Sequence, residues 1–422
     1  MFLGLLAAGM KVPFAIGVPG LVYLLLHGGL PALKGLGLVS WGSMNSFTLT
    51  AMPLFILMAE FIQRSGLSTR TYRGLAKLVS PIPGGLLQTN IVSCAFFAAI
   101  NGSSVATAAT IGSVAYPELK KRSYNPAIAT GSLAAGGTLG ILIPPSLAMI
   151  VYGSFTETSV AKLFMAGVVP GLLLTAMFMA YIALHALLRP QDTPREQGPQ
   201  TRAEFLGALG DLLPFVFLIG GTMSTLYFGW ATPTEAAALG CLMSIVFSKI
   251  WGTLTWADFR ICLKNAVRSS GNLMFIIYTA YVFAYAISVA GVGEQVTSFI
   301  VGLNLSRHEF FLVLFLLYTL LGCLVESLGM IVITVPLLFP VLIKYGIDPI
   351  WFGIILVVFI EMGQISPPIG INLFVIQSIS NEKFSSIVLG TIPFHLIMFV
   401  LLGLLVFFPQ LALWLPAHMA GR

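Results

Sequence analysis

Apolar residues run along this chain in long stretches that charged residues interrupt only rarely. No charged residue lies between Lys77 and Glu118, or between Arg122 and Glu157. A helix that crosses a membrane needs about 20 apolar residues, so each of these intervals is too long for one straight crossing. The pattern therefore predicts helices that break or turn back at membrane depth.

Proline and glycine mark where these breaks fall. In the first interval, Asn101-Gly102-Ser103-Ser104 separates two arms, residues 86–100 and 105–119, each too short for a comfortable crossing. We predict a re-entrant hairpin over about 86–122. The second interval is interrupted at Gly140 and at Pro144-Pro145-Ser146. Because proline removes a backbone donor and clashes with the preceding turn, it predicts a broken membrane-crossing helix over about 126–157.

The same arrangement returns later in the chain at a constant offset. A second hairpin is predicted over about 307–345, with Glu326 between its arms, and a second broken helix over about 349–380, interrupted at Ser366-Pro367-Pro368. The pairs that keep an offset of 223 positions are Pro117 and Pro340, Pro126 and Pro349, Gly140 and Gly363, Pro144 and Pro367, and Pro145 and Pro368. The sequence thus predicts two repeats, residues 1–188 and 204–422, joined by a polar linker at 189–203.

Basic residues predict the orientation of the repeats. Arg64, Arg70, Arg73 and Lys77 precede the first hairpin, and Lys120, Lys121 and Arg122 follow it. The positive-inside rule places both ends in the cytoplasm, together with the linker, and leaves 291–307 outside. The second hairpin would then enter from the opposite face, which makes the repeats inverted. The number of spans before Asn45 stays open.

The N-terminus predicts a retained helix. The first 26 residues are apolar with Lys11 among them and carry no small-residue cleavage site, which favours a retained span over a removed signal peptide. Residues 1–9 are short for a crossing, so we expect a few residues to be missing before Met1.

Composition excludes the soluble alternatives. Hydrophobic residues make up 57% of the 422 and charged residues 9%, with a mean hydropathy of +0.96, whereas soluble domains carry about 25% charge. The net charge of +6 is assigned to loops beside anionic lipid rather than to nucleic acid. The four cysteines lack metal-ligand spacing, so no zinc site or disulfide framework is expected. The predicted fold class is an all-α polytopic membrane protein with an inverted-topology repeat, two re-entrant helical hairpins and two broken transmembrane helices.

Such breaks suit the binding of small ions. A half-helix that begins at Ser103-Ser104 presents free N–H groups and the positive end of its dipole, which favour an anionic substrate. Backbone carbonyls freed at 140–144 and 363–367, with the hydroxyls of Ser103, Ser104, Ser327 and Ser366, are hard oxygen ligands that suit Na⁺. Inverted repeats with broken helices are typical of secondary transporters, whose sites lie at the membrane midplane.

Five sequence runs resemble one known family. They are NGSSVATAATIGSVAYPELKKRSYNP, GTLGILIPPSLAMIVYG, FTETSVAKLFMAGVVPGLLL, ATPTEAAALG and EMGQISPPIGINLFV. In this order they resemble the large membrane subunit of the tripartite ATP-independent periplasmic (TRAP) transporters, over nearly the whole chain. The resemblance implies Na⁺-coupled uptake of an organic acid across the bacterial inner membrane by an elevator movement. It also implies two partners, a periplasmic substrate-binding protein and a small membrane subunit. No G-x-x-x-x-G-K-[ST] run is present, so ATP use is not expected.

The resemblance also implies a set of site residues. A first Na⁺ site would use Ser103, Ser104 and the backbone from Gly140 to Pro144 and Pro145. A second would use Glu326 or its backbone, Ser327, and the backbone from Gly363 to Pro367. The substrate would lie between the hairpin tips, near Asn101, Ser104, Thr107, Ser327, Ser366 and Asn372.

Simpler roles compete with several of these assignments. Ser103 and Ser104 can cap a helix, and Glu326 and Glu361 can be neutral or paired structural groups rather than functional acids. Glu235, in Thr232-Pro233-Thr234-Glu235, fits a capping box, as do Thr255 with Asp258 and Ser306 with Glu309. The alternative functions are a stand-alone Na⁺/carboxylate carrier, an intramembrane enzyme and a structural scaffold. The enzyme lacks a recognisable nucleophile pair, and the scaffold leaves the polar breaks unexplained.

Overall fold

The computed structural model describes residues 4–5, 8–194, 196, 198–323 and 325–419. Within them the chain is helical almost throughout. The helices used below are α1 Val12–Tyr23, α2 Gly29–Met44, α3 Ala51–Arg64, α4 Leu67–Val79, α5 Leu86–Asn101, α6 Ser104–Lys121, α7 Pro126–Leu142, α8 Leu147–Thr156, α9 Val160–Leu188, α10 Arg202–Tyr227, α11 Pro233–Ile250, α12 Trp256–Val289, α13 Val292–Gly302, α14 Arg307–Gly322, α15 Ser327–Lys344, α16 Pro349–Gln364, α17 Ile371–Ser380, α18 Phe384–Phe407 and α19 Gln410–Ala417.

Side-chain caps fix where several helices begin. The three predicted capping boxes are confirmed, at Thr232 with Glu235, Thr255 with Asp258 and Ser306 with Glu309. Each supplies acceptors for backbone N–H groups that the first turn leaves free. Asn125 and Asp348 cap α7 and α16 with one side-chain oxygen each, which accepts from Ala127 N and Trp351 N, and each is followed by proline at the first helical position.

Three arms of the predicted hairpins have ends that differ from the prediction. Asn101 and Ser104 belong to α5 and α6, so the first break contains only Gly102 and Ser103. The first arm of the second hairpin, α14, ends at Gly322, before the break predicted at Glu326, and Gly322 is in backbone contact with α16, as described below. Leu324, within this second break, lies outside the described residues.

The helices pack as two bundles. An outer bundle contains α1–α4 and α10–α12, in which α3 packs against α11 and α12, and α4 against α10. A central bundle contains α5–α9 and α14–α19, in which α7 packs against α5, α6 and α18, and α8 against α15. In the apolar 18-residue window of residues 126–156, 94% of the residues are buried inside the protein. In the corresponding window of α12, the buried share is 28%. The broken helix is therefore enclosed by protein, while α12 presents an apolar surface to its surroundings.

The linker lies against the base of the first hairpin. Asn125 donates through Nδ2 to Asp192 Oδ1 at 2.9 Å, and Arg122 forms an ion pair with Glu196. Thr201 caps α10, so the last two residues of the predicted linker, 202 and 203, belong to the helix. Arg195 and Gln197 lie outside the described residues.

An ion-paired contact joins α6 in the first half to the loop between α17 and α18 in the second half. Tyr116 Oη donates to Glu382 Oε1 at 2.6 Å, and Lys120 Nζ lies 3.3 Å from the same oxygen. The hydrogen bond from Tyr116, and then the charge and hydrogen bond of Lys120, lower the pKa of Glu382. Glu382 is therefore ionised at neutral pH, and it ties the chain after α17 to the end of α6.

The number of helices suits a multi-pass membrane protein. In the described part of the chain, seven helices are long and apolar enough to cross a membrane, or eight if a pair bent by 50°, residues 31–44 and 48–64, forms one span. The N-terminal stretch is helical from Val12 and continues as a π-helical turn, Leu24–Gly28. Most of the short segment at 1–9, residues 1–3 and 6–7, lies outside the described residues.

Candidate functional site

The tip of the first hairpin lies against the break in the first broken helix. Gly102 ends α5 in the left-handed region, with φ of 58°, which glycine adopts without strain. Its carbonyl accepts a hydrogen bond from Leu147 N at 3.2 Å, where α8 begins. A Cβ at Gly102 would lie 2.9 Å from the Pro145 carbonyl oxygen. The tip and the break are therefore held in backbone contact.

Predicted ligands for the first cation come together at this contact. A Cβ at Gly140 would lie 2.5 Å from the Ser103 carbonyl oxygen and 2.7 Å from Thr107 Oγ1. Ser103 Oγ also accepts from Ala106 N at 3.5 Å, so it caps α6. Thr107 Oγ1 and Ser146 Oγ are buried without a hydrogen-bond partner among the described residues. Buried polar atoms normally have partners, so these two oxygens are free for a bound ion or ligand.

The second hairpin meets the second break in a similar way. A Cβ at Gly363 would lie 2.7 Å from Gly322 Cα. Cys323 Sγ donates to the carbonyl oxygens of Ser366 at 3.5 Å and Pro367 at 3.4 Å. Sequence analysis found no metal-ligand spacing among the four cysteines, and no motif in the sequence marks this contact of Cys323. The carbonyls of the second break thus face the tip of the second hairpin.

The hydroxyls of the second break bond locally. Ser327 Oγ donates to Glu326 Oε1 at 3.0 Å, and Ser366 Oγ donates to Met362 O at 2.7 Å. Glu326 occupies the N-cap position of α15, but its side chain does not cap the helix. A hydroxyl that donates one hydrogen bond keeps its lone pairs, so both serine oxygens can still coordinate a cation.

A short hydrogen bond joins the two halves at the first site. Asn372 Nδ2, on α17, donates to Ser104 Oγ at 2.6 Å, and Ala134 O lies 3.4 Å from the same nitrogen. Asn372 is fully buried, and its Oδ1 has no hydrogen-bond partner among the described residues. Two residues predicted for the substrate are thereby brought together, with one free acceptor beside the N-terminus of α6.

Three further polar residues belong to this region. Gln63, on the outer bundle, bonds to Asn101 at the hairpin tip, and nothing in the sequence connects positions that far apart. Glu361 and Gln364 are fully buried on α16, and their side-chain oxygens and nitrogen make no hydrogen bond with the described residues. Gln364 can be found from the sequence as a polar residue beside a helix break. The region around the breaks therefore contains more polar side chains than the sequence analysis predicted as ligands.

In the described residues, an all-helical fold with seven or eight helices that could cross a membrane, and with buried unpartnered polar groups at helix interruptions, is typical of a multi-pass membrane transport protein. A family model described as "Tripartite ATP-independent periplasmic transporter, DctM component" matches residues 1–411. The chain belongs to this family, and the resemblance found in the sequence is confirmed. It is a TRAP permease of the bacterial inner membrane, part of an ATP-independent tripartite system, and not an enzyme.

Curated relatives cover nearly the full length of the chain. The C4-dicarboxylate TRAP transporter large permease protein DctM of Pseudomonas aeruginosa is 35% identical, over 95% of this chain and 93% of its own length. The sialic acid TRAP transporter large permease protein SiaM of Vibrio cholerae is 30% identical, over 100% and 98%. The isethionate TRAP transporter permease protein DctMQ of Oleidesulfovibrio alaskensis is 31% identical, over 99% of this chain and 65% of its own length.

A solved structure shares the fold. The crystal structure of the YdaH transporter of Alcanivorax borkumensis matches with a TM-score of 0.66 and 15% identity, covering 92% of this chain and 91% of that one. At this identity the likeness concerns the fold alone. It confirms the all-helical, polytopic architecture predicted from the sequence.

Asn372→Ala is expected to lower the stability of the purified protein by about 1–3 kcal/mol, because Ser104 loses its buried hydrogen-bond partner. Asn265→Ala is a matched control, since Asn265 Nδ2 also donates one side-chain hydrogen bond, to Glu60 Oε2 at 3.1 Å, but at an exposed position. Thermal unfolding in detergent measures both variants. Equal melting temperatures for the two would contradict a stabilising link between the halves at Ser104.

Proposed function

We propose that this chain is the subunit through which an organic acid crosses the membrane, driven by a Na⁺ gradient. The observation that carries the proposal is the pairing of each helix break with a hairpin tip, which gathers backbone carbonyls, hydroxyls and a helix N-terminus in a buried region. Permeases named for C4-dicarboxylate, sialic acid and 2,3-diketo-L-gulonate are relatives at 30% to 35% identity. All three are acids, which supports an anionic substrate.

The substrate site lies beside the N-terminus of α6. We assign to it Asn101, Ser104, Thr107 and Asn372, together with Ser327 and Ser366 from the second half. The hydrogen bond from Asn372 Nδ2 to Ser104 Oγ at 2.6 Å supports this assignment. The free N–H groups and positive end of the α6 dipole stabilise a carboxylate. Unpartnered amide atoms of Asn101 and Asn372 are buried nearby, which supports a polar ligand at this position.

Two Na⁺ ions bind at the breaks. Ser103, Ser104 and the backbone at Gly140, Pro144 and Pro145 hold the first, and Glu326, Ser327 and the backbone at Gly363 and Pro367 hold the second. Carbonyl and hydroxyl oxygens suit this hard cation. Ser104 belongs to both the first Na⁺ site and the substrate site, and it is hydrogen-bonded to Asn372. A bound ion would therefore stabilise the hairpin tip next to the substrate and couple the binding of the two.

Transport proceeds by movement of the central bundle against the outer bundle. Residues 1–188 and 204–422 form the two inverted repeats, with a hairpin and a broken helix in each, and the linker at 189–203 lies in the cytoplasm. The basic residues that flank the first hairpin support this orientation. Contact of the linker with the base of the hairpin supports its movement with the central bundle.

The chain works with two partners, a small membrane subunit and a periplasmic substrate-binding protein. The description of the family as tripartite supports both. The relative named DctMQ is longer than this chain, which covers 65% of it, and this supports a further membrane segment alongside the large subunit.

Uptake into proteoliposomes tests the function. The chain is reconstituted with its small subunit, and uptake of succinate, sialic acid and 2,3-diketo-L-gulonate is measured with and without the binding protein under an inward Na⁺ gradient. We expect uptake of one acid that needs the binding protein and stops when K⁺ replaces Na⁺. Uptake by this chain alone would indicate a stand-alone carrier, and uptake that persists in K⁺ would contradict Na⁺ coupling.

A further inference from the structure

A hydrogen bond joins the outer bundle to the tip of the first hairpin. Gln63 Nε2, near the end of α3, donates to Asn101 Oδ1 at 2.9 Å. Gln63 is exposed, whereas Asn101 is buried, and its Nδ2 has no hydrogen-bond partner among the described residues. An amide group carries its acceptor and its donors on opposite sides. Gln63 occupies the acceptor of Asn101, so in this arrangement the two donors of Asn101 point away from Gln63.

Each end of this hydrogen bond is fixed within its own bundle. The residues next to Gln63 are tied to α11, α12 and the loop between them, with Ser248 Oγ 3.2 Å from Phe61 O, Arg64 Nε 2.8 Å from Asp258 Oδ1, and Thr253 N 3.0 Å from Ser65 O. The residue after Asn101 is tied to α8 through Gly102 O and Leu147 N. The Gln63–Asn101 bond therefore depends on how the two bundles lie against each other.

The free donors of Asn101 suit a carboxylate. An ionised carboxylate only accepts hydrogen bonds, and a buried N–H without a partner is costly until a ligand or water fills the position. If the amide were turned around, its oxygen would face the anion and repel it. The side of Asn101 that Gln63 occupies thus decides whether this residue attracts or repels the substrate.

We infer that Gln63 is a positioning residue on the outer bundle, which orients the Asn101 amide toward the substrate carboxylate only while the outer bundle contacts the tip. The inference rests on the proposed function, in which the central bundle moves and the substrate is an organic anion. Movement separates Gln63 from Asn101 and leaves the amide free to turn. The affinity for substrate is therefore high in the arrangement of the present structure and lower after the movement, which favours release.

Two substitutions distinguish orientation of the amide from a structural role. Gln63→Ala removes the hydrogen-bond donor, and we expect a rise of about five- to tenfold in the half-saturating substrate concentration, with a maximal rate within about twofold of the wild type. Gln63→Glu is nearly isosteric but can only accept when ionised, so it turns the Asn101 oxygen toward the substrate. We expect Gln63→Glu to be the more damaging of the two, whereas a purely structural role predicts the reverse order.

The measurement uses the complete reconstituted complex and the acid among the three named above that the wild type takes up fastest. Gln410→Ala, an exposed glutamine on α19, is the matched control and should leave the half-saturating concentration unchanged. Gln63→Ala combined with Asn101→Ala should lose no more than Asn101→Ala alone. Additive losses in the double variant, or a milder effect of Gln63→Glu than of Gln63→Ala, would overturn the inference. Absence of wild-type uptake for all three acids would overturn the proposed function and this inference with it.

Discussion

Gly140→Ala is expected to reduce Na⁺-dependent uptake at least tenfold while the protein still inserts into the membrane. The new Cβ would lie 2.5 Å from the Ser103 carbonyl oxygen and 2.7 Å from Thr107 Oγ1, closer than non-bonded atoms can approach. Either the hairpin tip or the broken helix must then shift. Both oxygens are near the proposed first Na⁺ site, so the shift disrupts the ligands directly. Uptake and size-exclusion profiles of the variant measure the two effects.

A matched pair of substitutions separates this clash from the general effect of adding a methyl group to a helix. Cβ atoms at Gly207 and Gly210, on α10, would have nothing within 4 Å. Alanine is favoured over glycine inside a helix by about 0.5–1 kcal/mol, so these variants should be at least as stable as the wild type and fully active. Normal uptake by Gly140→Ala, or an equal loss in the α10 variants, would contradict a close-packed ion site at the first break.

Ser103→Ala combined with Ser327→Ala is expected to raise the half-saturating Na⁺ concentration about tenfold and to lower Na⁺-dependent uptake, with insertion intact. The substitutions remove one proposed hydroxyl ligand from each break, and the remaining carbonyls of a hard-cation site do not replace them. Initial uptake rates over a series of Na⁺ concentrations, at constant ionic strength, measure the change. Unchanged Na⁺ dependence in the double variant would count against these ligands.

Ser103 also caps α6, so the loss of a cap needs its own control. Ser306 is a suitable control because it caps α14, the first arm of the second hairpin, at the end of the helix away from the breaks. Its hydroxyl accepts a hydrogen bond from Glu309 N at 3.3 Å. Ser306→Ala should cost about 1 kcal/mol of stability without altering the Na⁺ dependence. If Ser306→Ala shifted the Na⁺ dependence as much as the double variant, capping rather than coordination would explain the effect.

The breaks were predictable because their causes are local. Proline lacks a backbone donor and glycine lacks a Cβ, and the helices are interrupted at Gly102 and at the Pro144-Pro145 and Pro367-Pro368 pairs. Single prolines do not have this effect everywhere, since Pro170 and Pro336 lie inside helices. The three capping boxes are local for the same reason, since donor and acceptor lie three residues apart. The positions of these features follow from short windows of sequence. The inverted orientation of the repeats stays a prediction that rests on charge.

The sequence alone determined that the chain is an all-helical membrane protein with interruptions repeated at a fixed offset, because hydropathy and proline placement act over a few turns. Only the tertiary structure decided which groups meet at those interruptions. Gln63 reaches Asn101, Asn372 reaches Ser104 and Cys323 reaches the carbonyl of Pro367 because separate helices cross there. Such crossings cannot be predicted from the hydrophobic periodicity of the sequence, since they depend on how the side chains of distant helices pack together.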